Sequence, residues 1–268
     1  QTCALPIYPS FSPDGTQLAY IGREGRGDWW KNQNLWIVPF DGSEEARNLT
    51  AEADFSVAAS TLNDVGGSQL MQPTWSADGE TLYAQTSYHG STMLQAVDVA
   101  GSTLQPMIGA GGVVGVHNFD AARERVAYVR GTMQEPPQVW TQDLDSGDAR
   151  QLTDLNAWLD EIDLGEIEEV WFEGAEGNDL QGWILKPPDF DPEKTYPSIL
   201  EIHGGPWAQY GNLFMHEFYY LAAQGYVVYF CNPRGGSGYG EEHARAIWGE
   251  WGDADYADLM AWTDLVAA

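Results

Sequence analysis

The sequence predicts a region of repeated small β-sheets followed by a doubly wound α/β domain. The first part is indicated by a motif that recurs along the chain, in which an aromatic residue and an Asp-Gly turn precede an alternating strand. The second part is indicated by a strand, helix, strand, helix order that begins after residue 162. A chain of 268 residues is long enough for two domains that each bury a core.

The repeat is clearest in two segments, Pro9–Gly22 and Pro73–Thr86. Both contain proline, a small hydroxyl residue, an aromatic residue, serine and an Asp-Gly pair, and both continue as an alternating strand. A weaker third copy, Asn118–Gly131, places Phe119 where the second copy has Trp75. Asp-Gly closes a tight hairpin because glycine accepts a positive φ and aspartate can bond its own backbone.

A second strand with an acidic turn follows each copy, over Leu35–Gly42, Leu94–Gly101 and Val139–Gly147. The segments "RNLT" and "RQLTD" then recur at the same relative place. Such repeats of roughly 40–65 residues are typical of β-propeller blades, with generic hairpins of a β-sandwich as the alternative. Three copies are too few to close a ring of about 4–8 blades. We therefore expect a partial β-propeller of about three blades over residues 8–162, cut at its N-terminal side.

Residues 163–268 show the pattern of an α/β domain. Two strands surround the turn "AEGND", and an apolar strand follows over Ser198–Gly205. Helical spacing predicts a helix over Phe214–Gly225, and the apolar run Tyr226–Asn232 predicts a strand buried on both faces of a parallel sheet. A last helix is expected from Asp253, as its N-cap, towards Ala268. Its apolar face is expected to hold Tyr256, Leu259, Met260, Thr263 and Val266.

The composition argues against two classes of partner. The formal net charge is −28, from 40 acidic and 12 basic residues, and such a field repels nucleic acid and anionic lipid. No apolar run approaches the roughly 18 residues of a membrane span. We therefore expect no nucleic-acid partner and no membrane association. The negative charge either keeps the surface solvated or reflects adaptation to high salt, where screening relieves self-repulsion.

The first seven residues, Gln1–Ile7, are predicted to be foreign to the natural protein. They can be encoded by the tail of a widely used sequencing adapter, and Tyr8 has codons that begin with the base left over. Excluding them removes Cys3 and leaves Cys231 alone in an apolar strand, where a buried hydrophobe is its expected role. No disulfide is then available. The cellular compartment stays open, with the cytoplasm favoured over a periplasmic or secreted location.

Two glycine-rich motifs carry the chemical signal. In Leu200–Gly211 an apolar strand runs into a His-Gly-Gly-Pro turn, which often supplies one donor of an oxyanion hole, with a structural turn as the alternative. Asn232–Gly240 ("NPRGGSGYG") lacks the lysine and the in-frame G-x-G-x-x-G of a nucleotide-binding loop, so no cofactor is expected. Ser237 fails as a nucleophile because Tyr239 stands where G-x-S-x-G needs glycine. No metal is expected either, because no metal-ligand spacing is found at His89, His117, His216 and His243.

With these two motifs and the blades, the chain from about Tyr8 to Ala268 resembles the prolyl oligopeptidase family of serine peptidases. It is most similar to the acylaminoacyl-peptidase and dipeptidyl-peptidase-like branch. The resemblance implies a β-propeller that caps an α/β-hydrolase domain, so residues 163–268 would be the N-terminal part of that domain. It also implies hydrolysis of short peptide or acyl-peptide substrates through an acyl-enzyme. A homo-oligomer is left open.

The resemblance implies roles for three residues. The Gly205 backbone N–H would be the oxyanion donor of the loop after the third hydrolase strand, where the lack of a Cβ lets the substrate approach. His203 would brace the turn or donate weakly to the oxyanion, since the family's catalytic histidine lies near the end of the domain. Arg234 would either anchor the site loops or pair with one of the nearby acids.

The serine, aspartate and histidine of the family's triad would all lie beyond Ala268. We therefore expect the chain to be a fragment of a serine peptidase that is truncated at both ends and inactive alone. Two other hypotheses stay open. In one, the parent is a non-catalytic homologue that serves as a binding module. In the other, it is an esterase of the same fold.

Overall fold

A computed structural model describes residues 3–25, 27–66 and 68–268. These residues form 16 β-strands and three α-helices. Three antiparallel four-stranded meanders come first, and a mixed four-stranded sheet with the helices follows. Within the described ranges, no helix combines the length and the apolar character needed to span a membrane.

The first meander consists of β1 (Cys3–Phe11), β2 (Gln17–Glu24), β3 (Asn34–Pro39) and β4 (Arg47–Asn48). Of the segment predicted to be foreign, Gln1 and Thr2 lie outside the described residues, whereas Cys3–Ile7 belongs to β1. The pairing of β1 with β2 shifts register on both sides of Ile7, and Tyr8 has a φ of 54°. The foreign origin of these residues stays a prediction.

The second and third meanders repeat this arrangement. The second consists of β5 (Thr74–Trp75), β6 (Thr81–Tyr88), β7 (Ser91–Asp98) and β8 (Leu104–Ile108). The third consists of β9 (Val113–Phe119), β10 (Arg125–Gly131), β11 (Gln138–Asp143) and β12 (Ala149–Gln151). A single parallel residue pair, Thr92 with Val113, connects the two. Arg47 and Arg150 of the recurring segments lie in the fourth strands, β4 and β12, so this repeat holds in three dimensions.

The Asp-Gly motif closes the first hairpin of meanders one and two with the same hydrogen bonds. The serine Oγ donates to the aspartate Oδ1 at 2.6 Å in both, from Ser12 to Asp14 and from Ser76 to Asp78. Each serine accepts the N–H five residues later, and each aspartate accepts the N–H two residues later. These bonds, above all those from the serines, lower the pKa of both carboxyl groups.

The third copy forms the turn without serine or glycine. Asp120, at the serine position, accepts the N–H groups of Glu124 at 2.9 Å and Arg125 at 3.2 Å. Arg123 takes the glycine position with a φ of 60°, which costs a residue with a Cβ about 1–2 kcal/mol. The same backbone shape is therefore reached by different residues, which explains why this copy is weak in the sequence.

The mixed sheet has the order β13–β14–β16–β15. Its strands are β13 (Ile167–Glu173), β14 (Asp179–Leu185), β15 (Ser198–Glu201) and β16 (Val227–Cys231). The β13–β14 hairpin encloses the predicted turn, and β15 is parallel to β16. The fully parallel surroundings expected for Tyr226–Asn232 are wrong on one side, because β14 pairs with β16 in the antiparallel sense. The strand predicted over Ser198–Gly205 ends at Glu201, where the His-Gly-Gly-Pro turn leaves the sheet.

The helices are α1 (His216–Ala223), α2 (Glu241–Arg245) and α3 (Ala254–Ala267), and a 3-10 turn spans Ala157–Glu161. Side chains of β14 and β16 alternate between two cores. One core includes Trp183, Leu185, Val228 and Phe230 with Phe218 and Ala222 of α1. The other includes Leu180, Tyr229 and Cys231 with Leu259 and Trp262 of α3. Helices therefore cover both faces of this sheet.

The buried face of α3 is rotated from the predicted one. Leu259 packs on the sheet as expected, but Tyr256 and Met260 are 60% and 37% exposed, and Trp262 is fully buried instead. The cause is Asp258, which is also fully buried and lies on the same side of the helix. Apolar periodicity assigns an aspartate to the solvent-facing side of a helix. The face predicted to be buried therefore excluded Asp258.

Asp253 occupies the N-cap position of α3, as predicted. Asp253 has φ −106° and ψ −81°, and its side chain makes no capping hydrogen bond. Asp255 accepts the Gly252 N–H at 2.8 Å instead, so the carboxylate of the first turn closes the loop before the helix.

Gly182 of β14 lies directly under Trp262. A Cβ at Gly182 would stand 2.8 Å from Trp262 Cζ2 and 3.1 Å from the Cys231 Cβ. We expect Gly182→Ala to lower the free energy of unfolding by about 1–3 kcal/mol through overpacking, measured by urea denaturation. Trp262→Phe in the same chain should recover part of this loss. Gly109→Ala is the control because its Cβ would meet no atom within 4 Å. An equal loss in the control would contradict the packing explanation.

Candidate active site

The His-Gly-Gly-Pro turn leaves the sheet at the C-terminal end of β15. Gly205 has a φ of 84°, which glycine adopts without strain, and a Cβ at Gly204 or Gly205 would meet no atom within 4 Å. Within the described residues, the Gly205 N–H has no hydrogen-bond acceptor. The turn therefore has an unpaired backbone donor at an exposed residue that follows a parallel strand pair.

His203 packs behind this turn. Its ring meets Tyr210 edge to face, with 5.0 Å between the ring centres, and its Nδ1 lies 3.4 Å from the Gly204 carbonyl oxygen. Burial lowers the pKa of His203, so the imidazole is neutral at pH 7. Its Nε2 is buried and has no partner in the described part of the chain.

Gln209 binds the segment after the turn to the second meander and to the connection between β4 and β5. This side chain is fully buried, and its Nε2 donates to Thr61 Oγ1 at 2.8 Å and to the Ser91 carbonyl at 3.2 Å. Its Oε1 accepts the Gly90 N–H at 3.2 Å, and its backbone N–H donates to the Ser60 carbonyl at 3.1 Å. Both polar atoms of the side chain are satisfied, so residues far away in the sequence fix the position of the chain after the turn.

Arg234 is at the centre of a buried ion pair with Asp258. Its Nε donates to Oδ2 at 2.8 Å, one terminal nitrogen donates to Oδ1 at 2.9 Å, and its backbone N–H donates to Oδ2 at 3.1 Å. Arg234 is 8% exposed and Asp258 is 0% exposed. Arg234 also donates to Glu176. The hydrogen bonds to Asp258 are the main cause that raises the pKa of Arg234. The pair ties the end of β16 to α3.

Two further polar side chains of Asn232–Gly240, those of Asn232 and Ser237, are buried and form hydrogen bonds. Asn232 Oδ1 accepts the Tyr210 N–H at 2.8 Å, and its Nδ2 donates to the Tyr210 carbonyl at 2.9 Å. Ser237 is 2% exposed, and its Oγ donates to Ser60 Oγ at 2.8 Å. This hydroxyl therefore joins the two parts of the chain and is not presented to a substrate.

Cys231 is buried as expected, and burial raises the pKa of its thiol. In the ranges that the structure describes, no three side chains of His, Cys, Asp or Glu are grouped to hold a metal ion.

A cavity of about 420 Å³ opens beside Gly205. Five of its lining residues are tryptophans: Trp29, Trp30, Trp207, Trp248 and Trp251. We call this cavity the tryptophan pocket. Two of the tryptophans come from the connection between β2 and β3, and the other three come from the α/β part. A second cavity of about 540 Å³, between the 3-10 turn and α1, does not include the His-Gly-Gly-Pro turn.

Neither Asp258 nor the tryptophan pocket has a local signal in the sequence. Asp258 sits 24 residues after Arg234, and the pocket brings together residues from both ends of the chain. The high tryptophan content was the one available hint.

Comparison with known proteins shows which family this chain resembles. Residues 212–268 match the model of the prolyl oligopeptidase family. The chain is 31% identical to the uncharacterized peptidase YuxL of Bacillus subtilis over 221 residues, which is 81% of this chain and 33% of that protein. It is 26% identical to dipeptidyl-peptidase 5 of Arthroderma otae over 258 residues, which is 94% of this chain and 34% of that protein. The resemblance to the prolyl oligopeptidase family that the motifs predict is therefore confirmed.

The fold agrees with this relationship. The acylaminoacyl peptidase of Pyrococcus horikoshii superposes with a TM-score of 0.77 at 23% identity, over 94% of this chain and 37% of that one. The chain thus has the fold of the corresponding part of that enzyme. It spans about a third of the length of the curated relatives it matches.

The buried ion pair predicts that removing the charge of Arg234 destabilises the fold much more than removing the charge of an exposed lysine. Arg234→Met should lower the free energy of unfolding by about 3–5 kcal/mol, because the Asp258 carboxylate is left buried without its partner. The double variant Arg234→Met/Asp258→Leu should recover much of this loss. Lys194→Met is the control, because its ion pair with Asp191 is exposed and worth less than about 1 kcal/mol. Urea denaturation measures all three, and a loss at Arg234 no larger than that at Lys194 would refute the buried pair.

His243 predicts a pH dependence of stability. Its Nε2 lies 2.9 Å from the Pro233 carbonyl oxygen, and burial lowers its pKa from 6.5 to about 4. The unfolded chain therefore binds a proton at a pH where the folded chain does not, so acidification favours unfolding. The difference in unfolding free energy between the unaltered chain and His243→Gln should fall by up to about 3 kcal/mol as the pH decreases from 6.5 to 4. A difference that stays constant over this range would show that His243 is not held neutral.

Proposed function

We propose that the chain is part of a serine peptidase that hydrolyses short peptides through an acyl-enzyme, with the Gly205 N–H as one oxyanion donor. The observation that carries this proposal is the unpaired N–H of Gly205, an exposed residue in a chain that resembles the prolyl oligopeptidase family. The oxyanion of the tetrahedral intermediate needs donors that are in place before its charge develops. A backbone N–H held at a strand end meets that requirement.

The architecture supports the proposal. We assign residues 8–162 to β-propeller blades and residues 163–268 to the N-terminal part of an α/β-hydrolase domain. The three meanders have the four strands of a blade, and the first two share the Asp-Gly turn. The turn that holds Gly205 follows β15, the third strand of the mixed sheet. This is the place from which hydrolases of this fold take the loop donor of the oxyanion hole.

The other two predicted site residues act on the turn and not on the substrate in this proposal. His203 braces the turn, since its neutral ring is fixed by Tyr210 and lies against the Gly204 carbonyl. Arg234 anchors the end of β16 through Asp258. Asn232, two residues before Arg234, holds Tyr210 by both backbone groups and so supports the segment beyond the turn.

The relatives support a peptidase over the two other hypotheses. YuxL and dipeptidyl-peptidase 5 are named as peptidases, and a solved acylaminoacyl peptidase is in complex with Z-Gly-Gly-Phe-chloromethyl ketone. We therefore assign short peptides or acyl-peptides as substrates. No observation favours an esterase or a non-catalytic binding module.

The complete open reading frame that contains this sequence should hydrolyse acylated or unblocked peptidyl p-nitroanilides, and a fluorophosphonate should inactivate it. Replacing Gly205 by glycolate converts its N–H into an ester oxygen and leaves the φ freedom of the residue unchanged. We expect this change to lower kcat by about 10²–10³-fold with a small change in KM, because the donor acts in the transition state.

Glycolate in place of Gly204 is the matched control and should have a much smaller effect. Equal losses at the two positions would contradict the role of Gly205. Hydrolysis of p-nitrophenyl esters without any anilide hydrolysis would identify an esterase. The 268-residue chain alone, which contains no G-x-S-x-G serine, should show no serine-type turnover.

A further inference from the structure

We infer that the tryptophan pocket binds an uncharged aromatic side chain of the peptide and rejects a cationic one. The inference rests on the proposed peptidase function and assigns a substrate class to the same site. It follows from the position of the pocket beside Gly205 and from the cations that contact its aromatic walls.

The first cation is Arg23 of β2. Its guanidinium carbon lies 5.5 Å from the centre of the Trp29 ring and 5.1 Å from the centre of the Trp207 ring. Its Nε is buried and has no hydrogen-bond partner within the described residues. The two rings are therefore the contacts of a half-buried charge, and one face of each ring is engaged by a cation.

The second and third cations contact Trp30. The guanidinium carbon of Arg245 lies 5.2 Å from the centre of this ring, and the Lys31 Nζ lies 5.7 Å from it. Neither of these residues lines the cavity, and Arg23 does not line it either. Three of the chain's 12 Lys and Arg residues therefore contact rings of the pocket, in a molecule with a net charge of −28. Lys31 also pairs with Asp28 at 4.0 Å, and Arg23 interacts with the charge of Glu241.

These cations decide what the pocket accepts. The negative face of an aromatic ring attracts a cation, but three of the five rings already have one, and their positive charges repel another. The same charges attract a carboxylate, but a carboxylate would have to lose its hydration in a pocket that no charged side chain lines. An uncharged aromatic ring incurs neither cost, because its binding depends on the apolar area that it buries.

The location of the pocket links this preference to the reaction. Gly205 and Pro206 form part of its lining, so a side chain in the pocket belongs to a residue near the carbonyl that the Gly205 N–H would polarise. A volume of about 420 Å³ lies within the range of small-ligand sites and accommodates a phenylalanine or tryptophan side chain. The overall negative field attracts cationic peptides to the molecule, whereas the pocket selects against a cationic side chain.

The test uses three capped Gly-Phe dipeptide amides that differ only at the para position of the ring, which carries hydrogen, an aminomethyl group or a carboxyl group. Each is titrated into the 268-residue chain and followed by tryptophan fluorescence and calorimetry. We expect the phenylalanine probe to bind at least tenfold more tightly than either charged probe. A ratio below tenfold for the aminomethyl probe overturns the inference.

Two variants locate the effect. Arg245→Gln should raise the affinity for the aminomethyl probe relative to the phenylalanine probe by about threefold or more, because it removes a cation from Trp30. Arg125→Gln is the matched control: it changes the net charge equally, but Arg125 lies on β10 in an exposed pair with Asp143. Equal effects of the two variants overturn the inference.

Trp248→Ala should weaken binding of the phenylalanine probe at least fivefold, and circular dichroism verifies that this variant folds. Unchanged binding shows that the probe lies elsewhere and overturns the inference. A second copy of the chain that occupies the pocket also overturns the inference. Sedimentation would detect it as a dimer to which the probe does not bind. Selective probe binding together with an inactive complete reading frame would retain the pocket and refute the peptidase, so the two failures are distinguishable.

Discussion

The buried carboxylate of Asp258 is the constraint on which much of the α/β part depends. A charge that is 0% exposed is tolerated only with a well-placed partner, and Arg234 supplies a bidentate contact and a backbone N–H. This requirement sets the rotation of α3 about its axis, which in turn places Trp262 on Gly182. It also fixes the strand end from which Asn232 holds the segment beyond the His-Gly-Gly-Pro turn.

The turn itself is held from two directions. Asn232 binds its following segment from the sheet, and Gln209 binds the same segment to the second meander and to the connection that precedes it. The tryptophan pocket has the same double origin, because Trp29 and Trp30 come from the first meander and Trp248 comes from the segment between α2 and α3. A free donor and an apolar pocket therefore meet where the two parts of the chain are in contact, and neither part forms this arrangement alone.

Patterns in the sequence predicted the parts of this structure that depend on nearby residues. The hairpins, the β15–α1–β16 order and the donor turn follow from periodicity and from glycine placement, which act within about ten residues. The face of α3 could not be predicted, because its orientation depends on an ion pair and not on apolar spacing. The turn at Arg123 was equally hidden, since a non-glycine residue adopts the left-handed conformation. The tryptophan pocket depends on contacts between distant segments, for which one sequence contains no signal.

The bonds of Gln209 have a consequence for the order of folding. They connect it to Thr61 and Gly90 across 148 and 119 residues of chain, so the segment after the turn can be fixed only once the second meander and the connection before it have formed. Contacts of such long range form late, because the entropy of closing the loop is lost before they are gained. During synthesis from the N-terminus, the meanders emerge first and can fold before Gln209 appears. The His-Gly-Gly-Pro turn is then fixed against strands that have already folded.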